Sequence, residues 1–247
     1  MIPFLDISYH VLTDAQAERL KAAGWRGIMC CLWTAREVPR PTLDNLRIAY
    51  AHGLMVGGYI SVNGSMPGVW HVENGQAAAG DMWAKLVHVP IDVELQGIPN
   101  ATIREALEKA ASLGKARAIY TSESCWRENQ GNSQHFADCL LWNALWTGQP
   151  VLRPVTYGAW KGVLGQQWSG GAYVEGVYAD RNIFQEEYIM PTLEERIAAL
   201  EAKMVAFDWL SYGLAVERNK IDAHIKDKKG HLNSKSLQDL DDRLAER

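Results

Sequence analysis

The chain alternates short apolar runs with amphipathic segments from its start to about residue 185, and this alternation constrains the fold more than any other feature. Runs that predict strands and segments that predict helices follow one another as 2–8, 14–23, 27–33, 42–52, 54–62, 76–85, 86–91, 101–113 and 116–121. Strands that alternate with helices of about 10–15 residues are typical of parallel βαβ units. Further strands are predicted at 140–146, 151–157, 163–168 and 174–179, with little helix between them. We therefore predict an α/β fold, an irregular TIM-like (β/α) barrel that covers residues 1–188.

The pattern changes at Pro191. Thr192 and Glu195 have the spacing of a capping box, which predicts the start of a helix. Apolar residues then follow the alternating four/three spacing of a coiled coil, at Leu193, Ile197, Leu200, Met204 and Phe207. Two interpretations stay open, a coiled coil and an amphipathic helix folded back on the barrel. Residues 189–247 are predicted as a helical extension, with 192–217 as a segment for homo-oligomerisation or attachment.

Composition excludes several classes of function. A net charge of −4 over 247 residues gives no electrostatic reason to expect nucleic acid or an anionic membrane as a partner. The apolar runs are all shorter than the roughly 20 residues that span a bilayer. The seven histidines and four cysteines lack the spacing of metal ligands, so we expect neither a metal nor another cofactor. The first residues lack the basic and apolar regions of a signal peptide, so none is expected.

Two carboxyl groups separated by one residue, Asp92 and Glu94, stand at the end of the apolar run 86–91. Because side chains alternate between the faces of a strand, both are expected on the same face. Acids on an inward face cost desolvation energy that folding alone does not favour. Such a pair suits general acid catalysis on a glycosidic bond, in which one carboxyl stays protonated and another ionised. The alternative is a pair of solvated carboxylates just beyond the strand.

The first and last predicted strands also end in acids. Asp6 shares a face with Ser8, and Asp180 shares a face with Asn182. If the sheet closes, these two strands are neighbours, and Asp92 and Glu94 face them across the mouth. Four carboxyl groups around one mouth repel one another, so we expect at least one of them to have a raised pKa.

Several short motifs resemble those of the family 25 glycoside hydrolases, the lysozyme-type muramidases of phages, bacteria and fungi. Their order and spacing agree over residues 1–185. Each motif by itself is short, and together they are moderately specific. The motifs are Leu5-Asp6-Ile7-Ser8, Gly53-Leu54-Met55-Val56-Gly57-Gly58-Tyr59, Ile91-Asp92-Val93-Glu94, Ala118-Ile119-Tyr120-Thr121-Ser122, Gln166-Gln167-Trp168-Ser169 and Asp180-Arg181-Asn182.

The resemblance implies a barrel with its active site at the carboxyl ends of the strands, and a peptidoglycan hydrolase that cleaves between N-acetylmuramic acid and N-acetylglucosamine. It implies that Glu94 is the general acid and that Asp92 orients the substrate's acetamido group or stabilises developing positive charge. Asp6 and Asp180 would complete the acidic mouth. The residues expected to bind substrate, four of them as sugar-stacking walls, are Tyr59, Tyr120, Trp142, Trp168 and Asn182.

Two strands depart from the family pattern. The second continues as 30–34, Cys-Cys-Leu-Trp-Thr, and the third ends as Tyr59-Ile60-Ser61 where the family usually has Tyr-His-Phe. These departures keep two other functions open, a non-catalytic virion or wall-binding protein on the same barrel and a glycosidase for another polysaccharide. With no signal peptide expected, the interpretation as a peptidoglycan hydrolase predicts a phage or prophage lysin, made in the host cytoplasm and acting at the cell wall, or a virion-associated enzyme. The segment 192–217 would then form a homo-oligomer or attach to a phage tail.

Overall fold

A computed structural model describes residues 1–189, and within this range the strands form a closed barrel. Neighbouring strands are parallel from the first to the seventh, and the eighth is antiparallel to both the seventh and the first. The predicted fold class and the predicted closure are therefore confirmed. The strands are β1 (Ile2–Asp6), β2 (Gly27–Trp33), β3 (Met55–Ser61), β4 (Ile91–Asp92), β5 (Ala118–Ser122), β6 (Leu140–Ala144), β7 (Gly162–Val174) and β8 (Val177–Phe184).

Helices connect the first six strands and cover the outside of that part of the barrel. They are α1 (Asp14–Ala22), α2 (Thr42–Ala51), α3 (Gly68–Ala79) with a following 3-10 turn (Gly80–Lys85), α4 (Asn100–Ser112) and α5 (Glu123–Gln130), and α6 (Glu186–Ile189) follows β8. Helix α3 begins at Gly68, well before the predicted start at residue 76. Its glycines weaken the helical signal because glycine has a low helix propensity. They are needed for packing, since a Cβ on Gly75 would lie 2.5 Å from Ile60 Cδ1.

Three predicted strands need correction. The run 174–179 is not one strand, because Glu175 and Gly176 form the turn between β7 and β8. Of the run 86–91, only the last residue belongs to β4, because Pro90 has no N–H to donate to a ladder. The preceding residues still run beside β3, where Gly58 N donates to His88 O at 3.0 Å and Ile60 N donates to Pro90 O at 3.1 Å. The predicted strand at 151–157 is wrong, since this stretch is a loop between β6 and β7. Prolines at 150 and 154 remove two backbone donors there.

Period-two alternation along the strands separates two apolar cores. The outer core lies between the strands and the helices, where Leu20, Leu46 and Val72 meet side chains such as Ile28 and Ile60. The inner core fills the barrel at the amino ends of the parallel strands, and includes Phe4, Met29, Ala118, Trp142, Leu164 and Phe184. Because this end is filled, the open space of the barrel lies at the carboxyl ends of the strands.

Some expectations concern residues that the structure does not describe. The apolar stripe from Leu193 to Phe207 and the attachment role of 192–217 lie outside residues 1–189, as does nearly all of the predicted helical extension. Within residues 1–189, the helices are too short or too polar to cross a membrane.

Candidate active site

The predicted carboxyl groups meet at the open end of the barrel. Asp6 ends β1 and pairs in register with Asp180 on β8. Asp92 ends β4 and pairs with Ser61 of β3 on one side. Glu94 follows two residues later, beyond the last paired residue of the strand. Because β1 and β4 run parallel in the closed barrel and Asp180 pairs with Asp6, these three acids stand at the same end of the barrel. Burial raises the pKa of Asp6, and the charges of Asp180 and Asp92 raise it further.

Asp6 lies at the end of a directed chain of hydrogen bonds. Ser8 Oγ donates to Asp6 Oδ1 at 2.7 Å and accepts from Cys31 N at 3.0 Å. Since the Ser8 hydrogen is used, the contact at 2.7 Å between Ser8 Oγ and Tyr59 Oη has the tyrosine as donor. Burial raises the pKa of Asp6 to about 7, against the lowering effect of the bond from Ser8. These hydrogen bonds therefore orient a carboxyl that can be neutral or ionised near neutral pH.

Asp92 has one satisfied and one unsatisfied oxygen. Ser61 Oγ donates to Oδ2 at 2.6 Å, whereas Oδ1 is buried without a hydrogen-bond partner among the described residues. Burial raises the pKa of Asp92 to about 6, although the bond from Ser61 opposes the increase. A buried acceptor without a partner is costly, so the free oxygen is suited to a donor that a ligand brings.

Glu94 is half-buried beside Asp92 and helix α5. Its backbone oxygen accepts from Asn129 Nδ2 at 2.8 Å, which fixes the chain just after β4. Cys125 is half-buried, and its thiol lies 3.9 Å from Glu94 Oε1. Burial, followed by the charge of Asp92, raises the pKa of Glu94 to about 7. A raised pKa is thus confirmed, but desolvation contributes more to it than the predicted repulsion.

Gln167 organises the β7 side of the mouth, and sequence reasoning did not single it out. Its Nε2 donates to Asp180 Oδ2 at 3.2 Å. Its Oε1 accepts from Tyr120 Oη at 3.0 Å and from Trp146 Nε1 at 2.9 Å. A buried glutamine with every polar atom bonded links a carboxyl to two aromatic rings. The only signal in the sequence is that Gln167 lies within the motif 166–169, from which Trp168 was predicted to bind substrate.

The expected sugar-stacking residues divide into two groups. Tyr59 and Tyr120 lie at the mouth with ring centroids 6.2 Å apart. Trp142 is fully buried beneath them, and its Nε1 donates to Asn182 Oδ1 at 3.0 Å. Trp142 and Asn182 therefore support the mouth from below, and the prediction that they contact substrate is corrected because no ligand reaches a fully buried side chain.

Trp168 also departs from the expectation. It is 9% exposed, and the guanidinium of Arg181 lies 4.9 Å from its ring centroid. The arginine covers one face of the ring, and the low exposure of the ring argues against the expected contact with a sugar. Other aromatic side chains, which were not predicted to bind substrate, are large and exposed near the mouth: Tyr9, Trp146, Tyr173 and Tyr178.

The arrangement is suited to proton transfer. Three carboxyl groups, Asp6, Asp92 and Glu94, have pKa values raised to between about 6 and 7. Such groups can donate or accept a proton near neutral pH, as general acid–base catalysis requires. Within residues 1–189 there is no group of histidine, cysteine and acidic side chains arranged to hold a metal ion.

Comparison with known proteins gives the fold. No protein-family model matches the chain, and no curated protein sequence matches it. Among solved structures, the muramidase from Acremonium alcalophilum superposes with a TM-score of 0.63 at 20% identity, over 76% of this chain and 95% of that one. The family 25 lysozyme from Aspergillus fumigatus gives 0.63 at 18% identity, over 78% and 96%. The catalytic domain of the endolysin ply40 from Listeria phage P40 gives 0.60 at 14% identity, over 76% and 95%. The chain therefore has the fold of the family 25 lysozymes.

Proposed function

We propose that this protein is a family 25 glycoside hydrolase, a muramidase that cleaves the β-1,4 bond between N-acetylmuramic acid and N-acetylglucosamine in peptidoglycan. The observation that carries the proposal is the convergence of Asp6, Asp92, Glu94 and Asp180 on the mouth of a barrel with the lysozyme-type fold. A fold alone does not determine a reaction, because one barrel supports many chemistries. The acids at the carboxyl ends of the strands are where such a barrel has its active site.

In this proposal Glu94 is the general acid. It gives its proton to the glycosidic oxygen as the bond to the sugar's anomeric carbon breaks. The half-buried position and the nearby charge of Asp92 favour the protonated form of Glu94, with a pKa of about 7. The leaving sugar then departs as a neutral alcohol, and positive charge develops on the other ring.

Asp92 stabilises that charge or orients the substrate's acetamido group. Its unpartnered Oδ1 is available to an amide N–H, and the bond from Ser61 fixes the other oxygen. Its pKa of about 6, below that of Glu94, makes it the first of the two to ionise as the pH rises. Two carboxyl groups with different pKa values are what acid catalysis beside an ionised partner needs.

The structural neighbours include a muramidase, a lysozyme and the catalytic domain of an endolysin, which supports a cell-wall glycan as substrate. We further propose a phage-type lysin, with residues 1–188 as the catalytic domain and 189–247 as an extension for oligomerisation or attachment. If truncation at residue 190 leaves the number of chains per particle unchanged, the oligomerisation role is contradicted.

The test is the release of reducing ends from purified peptidoglycan by the full chain and by Glu94→Gln. We expect the isosteric change to lower the rate by about 10²–10⁴-fold, because it removes the proton and preserves the shape. Glu128→Gln on α5 is the matched control, since Glu128 is exposed and the chemical change is the same. An equal rate for Glu94→Gln would refute the assignment. No turnover by either protein, with binding to peptidoglycan retained, would favour the non-catalytic wall-binding function.

A further inference from the structure

Three exposed tyrosines surround a cavity on the β1–β8 side of the mouth. Tyr9 is 74% exposed, Tyr173 is 77% exposed and Tyr178 is 52% exposed. With Asp6 and Asp180 they line a space of about 380 Å³. Large apolar side chains that gather at the surface around a polar cavity are typical of a binding site. None of the three has a role in the proton transfer described above.

Strand geometry aims the pair on β7 and β8 at the mouth. Tyr178 lies two residues from Asp180 on β8, so both side chains are on the same face of the strand. Tyr173 of β7 pairs with Tyr178 in register, and their ring centroids are 5.3 Å apart. The two rings therefore extend the inner wall of the barrel beyond the carboxyl groups.

The hairpin that carries these rings is fixed to helix α1. Its turn is formed by Glu175 and Gly176, whose φ angles of 51° and 81° are those of a tight hairpin turn. Arg19 donates to Glu175 O at 3.3 Å, and Gln16 Nε2 donates to Gly176 O at 2.8 Å. Contacts from a neighbouring helix to the carbonyls of the turn restrict its motion. The rings are thus presented in advance of binding, which reduces the entropy cost of binding.

We propose that Tyr173, Tyr178 and Tyr9 form a sugar-binding subsite for the glycan strand, on the wall of the mouth that faces Glu94. The inference rests on the proposed function, because it takes the same glycan as the occupant. A saccharide ring has an apolar face and a polar edge. Tyrosine rings match the face, and the cavity supplies the Asp6 carboxyl and the Tyr59 hydroxyl oxygen for the edge.

The position of the subsite predicts a dependence on glycan length. In the closed order of eight strands, β4 lies opposite β8. Strands about 4.8 Å apart and tilted in a barrel of this size give a diameter of roughly 15 Å. Glu94 and Tyr178 therefore lie on opposite walls of the mouth, so a glycan held by both extends across it. The tyrosines should therefore strengthen the binding of longer saccharides that cross the mouth.

The experiment measures binding without turnover, in the Glu94→Gln background. Calorimetry with N-acetylglucosamine oligomers of two to six units, and with glycan strands from peptide-stripped peptidoglycan, compares this parent with a variant that also carries Tyr173→Ala and Tyr178→Ala. We expect the double replacement to weaken the binding of the longest oligomer and of the strands by about tenfold, the scale of a well-placed aromatic contact. The gain in affinity with chain length should decrease accordingly.

Two further variants separate stacking from other effects. Tyr173→Phe with Tyr178→Phe keeps the rings and should bind as the parent does. Tyr50→Ala, which removes a 46% exposed tyrosine from the outer helix α2, should have no effect. Equal affinity of the parent and the double alanine variant would overturn the subsite and leave the proposed function intact. Loss of binding in the phenylalanine variant would overturn stacking as its basis. A parent that binds no glycan at all would overturn the proposed function itself.

Discussion

Replacing Asp6 by asparagine should stabilise the protein at alkaline pH and not at acid pH. Burial holds the pKa of Asp6 at about 7 in the folded chain, compared with 3.8 for the free side chain. Between these two values the folded state binds the additional proton, so stability decreases as the pH rises through this window. Asparagine stays neutral and removes that dependence. Its amide oxygen can still accept the hydrogen bond from Ser8.

The size of the effect follows from the linkage relation. For each pH unit between 5 and 7, the free energy of unfolding of the wild type decreases by about 1.4 kcal/mol relative to that of the variant. Above the folded pKa the difference stops growing. Between pH 5 and pH 8, the difference in free energy of unfolding between Asp6→Asn and the wild type should therefore increase in favour of the variant by ~2.5 kcal/mol. Residual solvation of the carboxyl makes this an upper limit.

Urea unfolding followed by tryptophan fluorescence at pH 5 and at pH 8 measures the change. Asp138→Asn is the control, because Asp138 is an exposed carboxyl in the loop before β6 and loses the same charge. The control should shift stability by a similar small amount at both pH values. If Asp6→Asn gives the same difference from wild type at both pH values, the carboxyl is not destabilised by ionisation and the argument from burial fails.

Three other outcomes follow from the site and the core. The rate on peptidoglycan should be bell-shaped in pH, falling above about 7 as Glu94 loses its proton and below about 6 as Asp92 gains one; a flat profile would contradict these roles. Ser61→Ala should move the acidic limb upward by about one pH unit, because it removes a hydrogen bond that favours the Asp92 carboxylate; an unmoved limb would assign it to another group. Gly58→Ala should lower the free energy of unfolding by about 1–3 kcal/mol in urea titrations, since a Cβ there would lie 2.6 Å from Leu32 Cγ; an unchanged midpoint would mean that the core relaxes freely.

The fold was predictable where the chain repeats its pattern. The alternation through about residue 121 located most strands and helices of the parallel part of the barrel. It failed where residue-level chemistry overrides the pattern. Gly68 and Gly75 conceal the first half of α3 because close packing requires glycine there. Pro90 limits β4 to a short pairing, although the chain runs extended beside β3. Periodicity does not distinguish an extended segment from a paired one.

The acids of the site were predictable, and most of the partners that tune them were not. Carboxyl groups at strand ends stand out because burial makes them costly. Gln167 bonds Asp180 only after β7 and β8 come together, and nothing in its local sequence marks that contact. The same limit applies to Trp142 and Trp168, whose burial depends on Asn182 and Arg181 in another strand. Sequence gives a side chain its type and face, whereas its exposure depends on what the other strands place over it.

Strand β8 shows how one alternating face builds the whole depth of the mouth. From the closed end outward its inward residues are Phe184, Asn182, Asp180 and Tyr178. They are, in turn, part of the apolar filling, the support of Trp142, a carboxyl of the site, and a ring of the proposed subsite. A shift of the β8 register by one residue would turn all four away together. The antiparallel pairing of β8 with both neighbours specifies that register, so the strand that closes the barrel also aligns its polar mouth with its apolar base.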